Sequence, residues 1–111
     1  MKVIINRCFG GFSVSEEVYK KLGLEWDNYG YIELTDYFED KYNYDNMSYD
    51  DYYLAVRSDP ALIKAVEELG VEKASGSFAE LKIVEIPDDA KVYISNYDGI
   101  ESIEECHRSW D

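Results

Sequence analysis

Residues 25–53 hold nine carboxylates, eight tyrosines and a single cation, Lys41. The stretch "DYFEDKYNYDNMSYDDYYLAV" supplies most of them. A fold for this chain must either leave that stretch as a solvated loop or fix it as a face that presents acids and aromatics to a partner. Size and composition favour a packed molecule. At 111 residues, 46% hydrophobic and with only two prolines, the chain is expected to form one globular domain over residues 1–111 rather than a disordered coil. Its core must be modest, so a homo-oligomer is one way to cover surplus apolar surface.

The charge narrows the partners. A formal net charge of −13 argues against direct binding of nucleic acid, which needs clustered Lys and Arg against phosphates, and against acidic membrane surfaces. The partners such a chain attracts are basic, and a basic groove on another protein is commonly one that holds DNA or RNA. A role in solubility is the plainer alternative. The start, "MKVIINRCFGGF", has too few consecutive apolar residues for a signal peptide or a span, so a cytoplasmic location is expected. Cys8 and Cys106 are expected to be free thiols in a reducing compartment. With one histidine and no paired Cys/His spacing, no metal site and no cofactor are expected.

Local patterns give an order of elements. "KVIIN" (Lys2–Asn6) reads as a buried strand. "RCFGGF" reads as a turn, and "SVSEEVYKKLG" as a short helix with Ser13 at capping-box spacing from Glu16, stopped by Gly23. "YIELTDYF" alternates Ile32 and Leu34 with polar neighbours, which predicts a strand, and residues 38–48 read as a polar connection. Ser48 stands at capping-box spacing from Asp51, which favours a helix through "YYLAVR". In "SDPALIKAVEELG", Asp59 caps, Pro60 takes the first helical position and Gly70 ends a helix whose stripe is Leu62, Ile63, Val66 and Leu69. A strand is predicted from about Ala79 to Ile86, then a hairpin turning at Tyr97-Asp98-Gly99, though Ile100, Ile103 and His107 also fit a helical stripe. Helices and adjacent strands mix without a βαβ rhythm. The expected class is therefore α+β: a small antiparallel sheet of about four strands with two to three short helices packed on it.

Three blocks of sequence carry a resemblance. "KVIIN-C-GGF-S" at the start, "DP-LI--VEELG--A-G-FAELKIVEIPDD" in the second half and "YDGIE-----HR-W" at the end resemble a small family of accessory proteins encoded by phages and prophages. The resemblance covers residues 2–18 and 57–110 and leaves the Tyr/Asp segment unmatched. It implies a small early-type phage protein, a group in which inhibitors of host immunity are common. It carries no catalytic residue with it.

No enzyme is expected. Cys8 and His107 are the one Cys–His pair with a hint of proximity, and nothing in the sequence fixes a nucleophile's geometry between them. Gly10-Gly11 stands between a strand and a helix, as phosphate cradles do, but Glu16 and Glu17 open that helix and would repel an anion, so a tight turn is the better reading. Two binding functions are left. In the first, the protein antagonises a host defence system stoichiometrically, its acidic face occupying the basic nucleic-acid-binding surface of an effector, a nuclease or CRISPR-type complex. Asp36, Glu39, Asp40, Asp45, Asp50 and Asp51 would approach the density of duplex DNA, one charge per about 1.7 Å. Tyr44 and Tyr49 would fill clefts and stack on arginine. The plainer alternative is that the tyrosines are half-buried and the acids merely solvated. In the second, the protein is a sponge for a nucleotide-derived immune messenger, with Arg7, Arg57, His107 and Arg108 on phosphates and Trp110 on a base. Its plainer alternative is that the arginines pair with the abundant carboxylates.

Overall fold

The computed structural model describes residues 1–105. Strand β1 (Lys2–Asn6) pairs antiparallel with β2 (Leu81–Glu85), Ile4 opposite Ile83. Between them come α1 (Glu16–Leu22), α2 (Ile32–Tyr42), a 3-10 turn (Tyr44–Asn46), α3 (Tyr49–Arg57), α4 (Pro60–Leu69) and the short α5 (Val71–Ala74). A second antiparallel ladder, β3 (Val92–Tyr97) with β4 (Ile100–Glu105), closes the described chain. The class is α+β with four antiparallel strands, as expected. Among the described residues the strands form two ladders rather than one sheet, and the helices are five.

The β-branched run of β1 explains the layering. Side chains alternate along a strand, and both faces of this one are covered. Ile4 packs with Val14, Val18, Tyr19, Leu34, Phe38, Leu62 and Val66, while Val3 and Ile5 pack on Ile94 with Tyr53, Leu54 and Ile103. Helices α1, α2 and α4 thus cover one side of β1, and the hairpin with α3 covers the other. Helix α4 follows its sequence pattern: Asp59 accepts from the Leu62 amide at 3.0 Å, Pro60 opens the helix, and Leu62, Ile63 and Val66 are buried. Each such side chain contributes about 1.5–3 kcal/mol over leaving it exposed.

The hairpin meets β1 through side chains, which is why four strands do not merge. The Asn6 amide donates not to a strand carbonyl but to the Glu101 carboxylate at 2.7 Å, and the Asn6 side chain donates to the carbonyls of Cys8 and Gly99 at 2.7 Å each. At the hairpin tip Asp98 (φ 51°) and Gly99 (φ 91°) both take positive φ, the requirement of a two-residue type I′ turn. A Cβ at Gly99 would lie 2.6 Å from the Phe9 carbonyl oxygen. Gly10 is equally close-packed, since a Cβ there would stand 2.0 Å from the Phe78 carbonyl oxygen. Gly10 serves packing, whereas Gly11 has open space around it and takes a positive φ of 84°.

Three expectations are corrected. Residues 32–42 are helical, not a strand: Leu34 and Phe38 lie one turn apart on the buried stripe, a 3.6-residue period that the alternation of Ile32 and Leu34 masked. The segment after Phe38 is correspondingly α2's last turn and a 3-10 turn, not an irregular connection. Helix α1 begins after Ser15, without a side-chain cap; Ser13 is buried instead against Gly76. No helix among the described residues is long and apolar enough to cross a membrane.

Candidate functional site

The Tyr/Asp segment is ordered by two acids, Asp27 within it and Asp59 beyond it. Asp27, five residues ahead of α2, accepts from the Tyr19 hydroxyl at 2.5 Å and from the amides of Tyr29, Gly30 and Glu33 at 2.7, 2.6 and 2.9 Å. Burial works against its charge, but those four bonds prevail and hold the carboxyl well below the usual range. Tyr19, buried and bonded to that acid, is pushed up. At the other end of α2, Lys41 donates to the buried Asp59 at 2.6 Å, and Tyr42 donates to the same oxygen. There too desolvation raises the carboxyl's pKa and the Lys41, Tyr42 and Leu62 hydrogen bonds more than reverse it, so that it ends below its ordinary value. Helix α3 is capped by Ser48, whose Oγ accepts from the Asp51 amide at 3.2 Å.

So fixed, α2 and α3 enclose a cleft of about 330 Å³. Tyr31, Leu34, Thr35, Phe38 and Glu39 come from or just before α2, Tyr44 from the 3-10 turn, and Tyr49, Tyr52, Tyr53, Val56 and Arg57 from α3, with Phe12 closing one end. Tyr44 and Tyr52 meet edge to face at 4.5 Å, and Tyr49 and Tyr53 lie 5.3 Å apart. Burial, then the Glu39 charge and Tyr44, push the Tyr52 hydroxyl up to about 12, so it remains a neutral donor. Phe12 and Tyr31 also border a smaller hollow of about 150 Å³ walled by Tyr29 and Phe78, which continues the aromatic surface.

The cleft divides the expected partner-binding residues. Tyr44, Tyr49 and Glu39 line it. At 3.6 residues per turn, Asp50 borders the cleft stripe of α3 while Asp51 lies on the far side. Asp36 and Asp40, four residues apart, share a stripe of α2 turned away from the cleft, and Asp45 stands on the 3-10 turn. All six acids are exposed. None forms an ion pair among the described residues. Asp50 and Asp51 sit in the first turn of α3, where the helix dipole favours them.

Of the alternative ligand set only Arg7 and Arg57 fall within the described residues, and both meet Glu101. Arg57 is buried against Glu101: both guanidinium arms meet the carboxylate, Nη2 to Oε2 at 2.8 Å, with the Tyr53 hydroxyl bonding to Arg57 at 2.8 Å and to Glu101 at 3.1 Å. Phe12 and Tyr53 flank the guanidinium at 3.6 and 4.5 Å. Arg7 donates to the Glu101 carbonyl at 2.7 Å. His107, Arg108 and Trp110 lie outside the described residues, as does Cys106; Cys8 is a half-buried free thiol. Among the described residues no group of three or more His, Cys, Asp or Glu side chains is placed to hold a metal ion. Sequence reasoning missed Phe12 and Glu101. Glu101 contacts Arg57 across 44 residues, and no local pattern marks it.

Fold and site together define a small α+β protein with an aromatic cleft bordered by carboxylates that form no ion pair among the described residues. No protein-family model matches the chain, and no curated protein or solved structure matches it either.

Proposed function

We propose that the protein is a non-enzymatic, stoichiometric binder whose α2–α3 surface occupies a basic, nucleic-acid-binding surface on another protein. One observation carries this reading: a tyrosine-walled cleft, lined by Glu39 and bordered by Asp50, belongs to a surface whose six exposed acids form no ion pair among the described residues. Uncompensated like charge is a standing cost to the compact state, and a basic partner relieves it. Tyrosines give such a contact apolar area with little conformational entropy to lose. Among the described residues the one cation lining the cleft, Arg57, is neutralised by Glu101, so the field of those residues is that of the acids. Resemblance to phage accessory proteins makes host nucleases and CRISPR-type effectors the first partners to test, with the protein acting as an antagonist of host defence.

The test is competition. The protein is titrated into a basic effector carrying labelled duplex DNA, and displacement is followed. Stoichiometric release of DNA that weakens with salt is expected, and the double substitution Asp50→Lys, Asp51→Lys is expected to weaken it about tenfold or more. Binding that leaves DNA in place, or that Arg108→Ala abolishes while the Asp50/Asp51 reversal does not, contradicts the proposal and favours the nucleotide sponge.

A further inference from the structure

We infer that the α2–α3 cleft receives one arginine side chain of the basic partner, so that a single seated guanidinium, rather than diffuse attraction, sets where the partner docks. This rests on the proposed basic partner and adds what anchors it.

The walls suit a flat cation. Aromatic faces are the negative part of the ring quadrupole and attract guanidinium within about 6 Å of the centroid. Tyr44 and Tyr52 meet nearly at right angles, 83° between planes, which makes a corner of one face and one edge. Glu39 lines the same cleft from the facing helix, exposed and without an ion-pair partner among the described residues. A carboxylate beside aromatic faces is the combination that holds guanidinium bidentately while its plane stacks. The fold already holds one guanidinium this way: Arg57 lies between Phe12 and Tyr53 with its arms on a carboxylate.

Charge chooses among occupants. At about 330 Å³ the cleft is at the bottom of the range for small-molecule pockets, about 300–1,000 Å³, and is ample for one side chain; charge is what argues against a nucleotide. A phosphate entering it would meet Glu39 and find Arg57 already neutralised. Lysine would be accepted less well, because its ammonium is more strongly hydrated and cannot stack.

The experiment titrates the isotope-labelled full chain with a capped peptide of alternating arginine and glycine, then with its lysine and citrulline counterparts and with AMP. Ring resonances of Tyr44, Tyr49, Tyr52 and Tyr53 are expected to move with the arginine peptide, whose affinity exceeds that of the lysine peptide about fivefold. Citrulline and AMP are expected to leave those rings unmoved. Glu39→Gln and Tyr49→Ala, both at exposed positions, are expected to bring the arginine-to-lysine ratio close to one, with the amide resonances of β1 unchanged as proof of folding. Asp36→Asn, on the other stripe of α2, is expected to keep the ratio. Equal binding of the arginine and lysine peptides without tyrosine shifts overturns the inference and leaves the basic-partner reading standing. Failure of every cationic peptide to bind overturns both. Tyrosine shifts that follow AMP, or that follow the protein's own concentration without peptide, overturn it in favour of a nucleotide or of a second copy of the chain.

Discussion

Two groups of carboxylates in this protein behave as opposites. Asp27, Asp59 and Glu101 each accept at least three hydrogen bonds; Asp27 joins α1 to the start of α2, and Asp59 and Glu101 tie together segments more distant in sequence. Asp36, Glu39, Asp40, Asp45, Asp50 and Asp51 are exposed and form no ion pair among the described residues. The first group builds the platform and the second is displayed on it. An acidic composition therefore has two separable meanings in one chain: acids that the fold uses and acids that it holds out to solvent. Only the second group is open to a partner.

The comparison breaks most sharply at Glu101. Glu101→Ala is expected to destabilise the protein by about 3–5 kcal/mol, because it strands a buried guanidinium. That is a large share of the roughly 5–15 kcal/mol such domains have, and urea unfolding reads it. Replacing both partners, Arg57→Met with Glu101→Leu, is expected to cost less than Glu101→Ala alone. If the double variant were the worse of the two, the pair would be contributing more than its own desolvation.

Asp59 should come next. Asp59→Ala removes a helix cap, worth about 0.5–2 kcal/mol, and leaves Lys41 and Tyr42 without their acceptor; the expected loss is about 2 kcal/mol in the same measurement. Acid gives the matching titration. The folded-state pKa values of Asp59 and Asp27 are both depressed. Their contribution is thus complete above the unfolded value near about 4 and disappears as the pH falls through the folded values. Stability measured in urea is expected to decline from about pH 4 downward, and Asp59→Asn is expected to flatten that decline. A wild-type profile level through this window would remove these acids from the structural group.

The smallest effect belongs to the displayed acids. Asp36→Asn with Asp40→Asn is expected to change stability by no more than about 0.5 kcal/mol, while slowing association with a basic partner. A large loss of stability would place Asp36 and Asp40 with Asp27, Asp59 and Glu101.

The division also sets what the sequence could disclose. Helix α4 was legible because Asp59, Pro60 and Gly70 sit at its ends and its apolar stripe is complete. The Asp98-Gly99 turn and the Ser48 cap were legible for the same reason: each is a short-range pattern with a short-range cause. Helix α2 was misread because its N-terminal support comes from Asp27, several residues upstream, and from Tyr19 on α1, while Ile32 and Leu34 imitate a strand. The cleft was legible in its residue types, tyrosines beside acids. Its membership was not, since the phase of α2 and α3 decides that Glu39 lines it and that Asp36 and Asp40 do not. Arg57 was visible as a candidate, but its partner, Glu101, lies 44 residues away on β4.

Whether the displayed acids engage a basic surface is decided by the salt dependence of binding. The intact protein is bound to a basic DNA-binding effector at salt concentrations from about 50 to 200 mM, with and without competing duplex. Affinity is expected to fall about tenfold or more across that range, with duplex and protein excluding one another. Affinity indifferent to salt, or a stable ternary complex with DNA, would contradict it.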